Sequence, residues 1–233
     1  MTVLRTFAAA IFVALATAAA AGDYAERNVL GFSPDGAYFA FEEYGVQDGS
    51  GFPYSNIYVI ETATDSWVDG SPIRVLIEGD SPPLSETRFE AMDRARPLLQ
   101  GHQIGAQGRT LVHNPVDELS ANPHAVAFRL HRFDNDTWQL GLTEVEMPAA
   151  GCPDMGQPFK GMQLVMSGPS GVRSLNNDTH IPRSRNCPLG YGLSEVIHYP
   201  TGSSGGVLMV IVNVFNVGFE GPDRRFIAIA ARL

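Results

Sequence analysis

Runs of aromatic and β-branched residues, separated by turns rich in Gly, Pro, Asn and Asp, predict that most of this chain is antiparallel β-structure. The pattern is densest from Leu30 to Trp67. Tyr38, Phe39, Phe41 and Tyr44 make one strand-forming run and Ile57 to Ile60 another. Ser33-Pro34-Asp35-Gly36 precedes them: Pro34 presets φ, Asp35 can bond back to its own backbone, and Gly36 can take a left-handed conformation. Further strands are expected at Ile73–Ile77, Arg109–His113, Met162–Met166, Val172–Leu175 and Leu193–Tyr199. A hairpin is expected from Ala125–Arg132 and Trp138–Met147, turning at Asp134-Asn135-Asp136.

The most apolar run, Val207 to Val217, carries Val207, Met209, Ile211, Asn213 and Phe215 on one face and Leu208, Val210, Val212 and Val214 on the other. A strand wetted on one side would alternate, so this one is expected to be central and covered on both faces. At this length it is far short of the ~20 residues of a helical membrane span. The expected cover is a helix near 85–100, starting after Ser85 as N-cap, with Leu84 and Phe89 placed as a hydrophobic staple. Its apolar side is read as Phe89, Met92, Ala95 and Leu99, with Glu90 and Arg94 paired elsewhere, a kink or stop at Pro97 and an end at Gly101. Arg88, Arg94 and Arg96 are offset by Glu86, Glu90 and Asp93, which reads as a solvated face rather than an anion site. Asn213 is read as a satisfied buried amide. The fold class is therefore mainly β: antiparallel sheets, as a sandwich or an incomplete propeller-like array, with one helix packed on a central strand.

Arg5, the apolar stretch Phe7 to Ala18, and the small residues Ala19 and Ala21 stand in the order of a signal peptide over 1–21, with cleavage between Ala21 and Gly22. Residues 22–233 then form a single β-rich domain, with no transmembrane span in the mature chain. Arg5 is the only charge in the leader, so the net charge of −9 becomes still more acidic on its removal. That balance argues against nucleic acid and against anionic lipid surfaces as partners. An exported chain with two cysteines, Cys152 and Cys187, favours a disulfide between them. The metal alternative would need two further ligands, and His180 is the one nearby candidate. The segment from Pro148 to Pro188 is poor in apolar runs, so the disulfide is expected to tie down a region that buries little surface.

Sequence patterns that could carry chemistry each meet a simpler reading. Gly202-Ser203-Ser204-Gly205-Gly206 matches a nucleophile elbow by letter, but a strand follows it where that motif needs a helix. The six histidines, at 102, 113, 124, 131, 180 and 198, form no metal-binding spacing. Asp134-Asn135-Asp136 lacks the Gly and Glu that complete a calcium loop. Gly101, Gly105 and Gly108 lack the lysine of a phosphate loop. Glu42 and Glu43 point to opposite faces of their strand and cannot act as a dyad. No catalytic, cofactor-binding or metal-binding residue is assigned, and no cofactor is expected.

Residues 30–67, with Ser33-Pro34-Asp35-Gly36, an aromatic-Ala-aromatic strand, Ile57-Tyr58-Val59 and the turn Thr62-Ala63-Thr64-Asp65, resemble one blade of a TolB-like β-propeller. Taken whole, the leader, this hairpin, the Arg-rich helix and the closing segment Gly218 to Phe226 resemble an uncharacterised family of predicted secreted bacterial proteins. That resemblance implies a secreted or envelope location and supplies no site residues. It leaves three classes of function: a secreted or periplasmic binding or interaction module for an unknown envelope protein or small ligand, favoured here; an envelope hydrolase with a site assembled from distant residues; and a structural envelope protein. An enzyme is the less favoured class. A final expectation concerns the two ends of the mature chain. Gly31 to Phe41 echoes Gly218 to Ile229, which would make both ends hairpins turning at a Pro-Asp pair.

Overall fold

The computed structural model describes residues 22–79, 82–202 and 205–233, so the predicted leader lies outside the described residues. The Ser33–Gly36 tetrapeptide makes the turn its residues specify. The Gly36 amide donates to the Ser33 carbonyl, the Asp35 carboxylate accepts from the Ser33 hydroxyl and the Ala37 amide, and Gly36 sits at φ 71°. Those two bonds, the Ser33 hydroxyl first, hold the Asp35 carboxyl below the usual range. The turn joins β1 (Glu26–Phe32) to β2 (Tyr38–Val46), and β3 (Pro53–Glu61) continues the antiparallel meander. The short strands β4 (Ser66–Trp67) and β5 (Ile73–Leu76) share the far edge of β3, completing the first sheet.

Helix α1 (Leu84–Gly101) follows, then β6 (Arg109–His113). The second sheet has the order β10-β9-β8-β7, from β7 (Ala125–Phe128), β8 (Trp138–Met147), β9 (Phe159–Gly168) and β10 (Gly171–Asn177). The expected hairpin forms between β7 and β8, with its first strand ending at Phe128 rather than Arg132. The central sheet has the order β13-β12-β11-β6, adding β11 (Pro188–Tyr199), β12 (Val207–Asn216) and β13 (Asp223–Arg232). The first and central sheets are thus built largely from chain neighbours, with β6 delivered to the central sheet from far upstream.

The two faces of β12 explain the stack. Val207, Met209 and Ile211 pack with Phe32, Phe39 and Phe41 of the first sheet. Leu208, Val210, Val212 and Val214 pack with Leu140, Met162, Leu164 and Met166 of the second. The strand is central and buried on both sides, as its unbroken apolar pattern requires. Its cover, however, is two sheets and not the helix. Helix α1 instead lies on the outer face of the first sheet, where Thr87, Ala91 and Ala95 are buried against the side that carries Ile57 and Val75. It does pack on a central strand, β3, but of the neighbouring sheet. The order of layers is helix, first sheet, central sheet, second sheet, and the sheets do not close into a barrel.

Several expectations about the helix are corrected by this packing. Of the expected apolar side, Ala95 is buried and Met92 and Leu99 pack beside it, but Phe89 is left 69% exposed, outside any staple, and the small residues Thr87 and Ala91 let the helix axis approach the sheet. Pro83 occupies the N-cap position without a side-chain bond. The helix runs through Pro97 to Gly101. Glu90 and Arg94 do pair. Arg88 does not belong to a solvated face: it forks onto the buried Glu42 carboxylate at 2.8 Å through both Nε and Nη2, with its guanidinium 3.7 Å from the Tyr44 ring centre. The charge on Glu42 lies one strand away, out of reach of any count made along the helix.

The Pro148–Pro188 region also buries more than expected, since β9 contributes Met162, Leu164 and Met166 to the core. Cys152 and Cys187 are bonded to each other. At the C-terminal end, β12 pairs with β13 in register from Val207↔Arg232 to Asn216↔Asp223. The connection is the segment 217–222, so Pro222-Asp223 stands at its exit and not at its centre, and Gly221 does not take a left-handed conformation. The echo between the chain ends thus holds as strand pairing and fails as turn geometry.

Candidate functional site

The end of the central sheet nearest Asn213 is covered differently from the rest. Strand β6 pairs with β11 as far as His113↔Glu195 and then leaves the sheet. Asn114 holds the departure: its amide donates to the Ser194 carbonyl, and its side-chain nitrogen donates to the Leu193 and Asn122 carbonyls at 2.9 Å. The chain returns at Pro123, whose carbonyl accepts from the Leu193 amide at 2.7 Å. Residues 114–123 therefore form a strap, pinned at both ends to β11, that arches over the open face of β11 and β12.

Beneath the strap is a cavity of about 310 Å³ lined by Val116, Pro123, Tyr191, Phe215, Glu144 and Asn213 among others. On the other side of Pro115 and Val116 a wider cleft of about 680 Å³ reaches the same asparagine, between β1, β13 and the strap. Asn213 is 2% exposed and lies on the floor of both spaces, and its Oδ1 has no hydrogen-bond partner among the described residues. A buried acceptor left without a donor costs about 1–3 kcal/mol. The reading of Asn213 as a satisfied amide is thereby corrected. Gly192 lies opposite, and a Cβ there would stand 3.3 Å from Pro123, so a side chain would crowd the strap.

Several polar groups of the walls are paired with one another. Glu144 accepts from the Tyr191 amide at 2.7 Å and from Lys160 at 2.6 Å, while His124 Nε2 meets the Tyr191 carbonyl at 3.2 Å. In the wider cleft Glu195 pairs with Arg27 and accepts from the Thr110 hydroxyl at 2.7 Å. Arg224 lies against the rings of Tyr24 and Phe226, and burial pushes its guanidinium below its ordinary value. Its Nη2 donates to the Ala25 carbonyl at 2.8 Å, and its Nε has no partner among the described residues. Three buried polar atoms of residues lining these spaces, Asn213 Oδ1, Arg224 Nε and the Tyr191 hydroxyl, are thus left without a hydrogen-bond partner among the described residues.

A second polar cluster joins the first and central sheets. Asp23, 5% exposed, pairs with Arg225 and accepts from the Tyr54 hydroxyl at 2.9 Å. Glu43 accepts from the Phe226 amide at 2.7 Å and from Asn56 at 3.2 Å. Burial pushes the Glu43 carboxyl up, against the pull of the Phe226 amide and Arg225. Burial likewise raises the Tyr54 and Tyr58 hydroxyls. Glu42 and Glu43 do face opposite ways: one meets the helix, the other the central sheet.

Of the residues singled out in the sequence, Cys152 and Cys187 are brought together, and Ala21 lies outside the described residues. Ser203 and Ser204 also lie outside them, while the strand β12 follows directly. The histidines do not gather into one site: His102 packs on Tyr38, His198 is buried with Nε2 at 2.6 Å from the Gly205 carbonyl, and His131 meets His198 edge to face, the ring centres 6.4 Å apart. No group of three or more His, Cys, Asp or Glu side chains placed for a metal ion occurs among the described residues. The sequence reads as a proline- and asparagine-containing loop from His113 to Pro123, and its arch over β11 and β12 is what that reading missed. The strap's signals were Asn114 and Pro123 bounding a polar loop, and Asn213 as the one polar break in an apolar run.

A family model described as a predicted secreted protein (DUF2259) matches residues 40–232 of the chain. No curated protein and no solved structure matches. Among the described residues no helix is long and apolar enough to cross a membrane.

Proposed function

This chain belongs to that family of predicted secreted proteins of unknown function, and we propose that it is an exported binding module, periplasmic or released, that holds a small ligand over Asn213. The single observation behind the reading is the Asn213 Oδ1, buried without a partner on the floor of two spaces. A position that needed only packing would be served better by Val or Leu, as at its neighbours Val212 and Val214. The ligand that fits has an N–H or O–H donor for this oxygen and an apolar body for Phe215, Val116 and Pro123. The Cys152–Cys187 bond supports an oxidising compartment, in keeping with the leader expected from the sequence to end at Ala21.

Ligand-observed NMR with a library of small amides, alcohols and amines should find compounds that bind the oxidised protein and fail to bind its Asn213→Leu variant. A lost donor–acceptor pair in a buried site weakens binding by about tenfold or more. If every compound that binds the parent protein binds the variant equally, the reading is wrong.

A further inference from the structure

A recess separate from the Asn213 cleft lies at the edge of the central sheet, where β13 begins, and has a volume of about 300 Å³. Its lining includes four arginines, Arg74, Arg183, Arg185 and Arg225, in a chain whose net charge is −9. Two of them are already neutralised. Arg225 pairs with Asp23, and Arg185 pairs with Asp178 while lying 5.6 Å from the Tyr191 ring centre. The other two have no carboxylate partner among the described residues: Arg74 lies over the Trp67 ring, and Arg183 is exposed and makes no side-chain bond. A recess with two unspent positive charges in an acidic protein favours a negatively charged occupant.

A second observation points to the same space. Asn216 is 5% exposed, lines the recess, and its Oδ1 has no hydrogen-bond partner among the described residues. This acceptor would face a bare anion unfavourably, so the occupant must bring a donor of its own next to its charge. Glu43 also lines the recess, and it does not bar an anion. Its oxygens are occupied by the Phe226 amide and Asn56, and the Arg225 guanidinium lies close enough to offset its charge. The roof is held in place as well. The turn Arg183–Arg185 ends at Asn186, in left-handed backbone, and the next residue is Cys187 of the disulfide.

We propose that this recess binds a small hydroxylated carboxylate, with its carboxylate on Arg183 and Arg74 and a hydroxyl donating to Asn216 Oδ1. The available volume suits a molecule of about monosaccharide size. Arginine is the residue type suited to a carboxylate, since its planar fork can donate two parallel bonds.

The test uses the full exported, oxidised protein and calorimetric titration with glucuronate, with glucose as the uncharged control and acetate and sulfate as hydroxyl-free anions. Glucuronate should bind saturably, glucose should not, and acetate and sulfate should bind about tenfold more weakly or less. Arg183→Ala, a change at an exposed side chain, should weaken glucuronate about tenfold without loss of fold. Asn216→Leu should abolish the preference for glucuronate over acetate. Asn213→Leu should leave glucuronate binding unchanged, which separates this site from the cleft. Absence of saturable glucuronate binding, equal binding of glucose, acetate or sulfate, an unchanged affinity in Arg183→Ala, or a loss in Asn213→Leu would each overturn the proposal.

Discussion

Asp placed at either Met209 or Val210 should abolish the cooperative unfolding transition of this protein. The two side chains leave opposite faces of β12, and both are 0% exposed. Met209 is surrounded by residues of the first sheet and Val210 by residues of the second. An isolated carboxylate in either environment has no partner, and its burial costs several kcal/mol, comparable with the about 5–15 kcal/mol that stabilises a typical domain. A two-layer sandwich would tolerate one of these changes, because one face of the strand would meet water. Val172→Asp is the control: Val172 is 76% exposed on β10, and the change should stay within about 0.5 kcal/mol. Near-ultraviolet circular dichroism and denaturant titration read all three. A folded, cooperative protein from either β12 variant would break the three-sheet account.

Asp23→Ala should cost about 3–5 kcal/mol, because it leaves Arg225 with only the more distant Asp223 carboxylate, 3.7 Å away, and strips the buried Tyr54 hydroxyl of its acceptor. The same carboxylate serves the Tyr54 hydroxyl, and its own backbone carbonyl bonds the Arg224 amide and the Arg225 side chain. Asp23 is thus the point where the start of the described chain is fastened to β13 and to β3 together. For a protein of this size the loss corresponds to a fall in melting temperature of roughly 6–20 °C. Asp23→Leu combined with Arg225→Met should recover much of the loss, since an apolar pair removes the stranded charge. A loss under about 1 kcal/mol from Asp23→Ala would mean that water screens the pair and that this corner is not a fastening point.

The strands were legible because their signals are local. Pro34, Asp35 and Gly36 specify a turn by their own backbone preferences, and the turn is there. The double apolar pattern of β12 announced cover on both faces. What covered it was not legible, because any apolar face satisfies the pattern, and the second sheet, the first sheet and the helix all had one to offer. The helix itself misled for a related reason. Its bulkiest apolar residue, Phe89, is exposed, while Thr87 and Ala91 join the expected Ala95 against the sheet, since close approach selects small side chains that carry little hydrophobic signal. Arg88 looked solvated because its partner, Glu42, is 46 residues away. The candidate site was half legible. Asn213 stood out as a polar break, yet whether an amide is satisfied depends on the strap that Asn114 and Pro123 pin to β11, a tertiary fact. The arginines of the recess come from three separate parts of the chain, and no local pattern joins them.

The stability of Asn213→Leu tests the account at its centre. If Asn213 serves a ligand, its unpartnered oxygen is a cost borne by the free protein, and an apolar residue of similar size removes it. Denaturant unfolding of the ligand-free variant should then show a gain of about 1–2 kcal/mol over the parent, at an unchanged dependence on denaturant. If the amide instead holds the fold together, the same substitution should lower stability by about 1 kcal/mol or more, and the cleft would lose its claim to be a binding site.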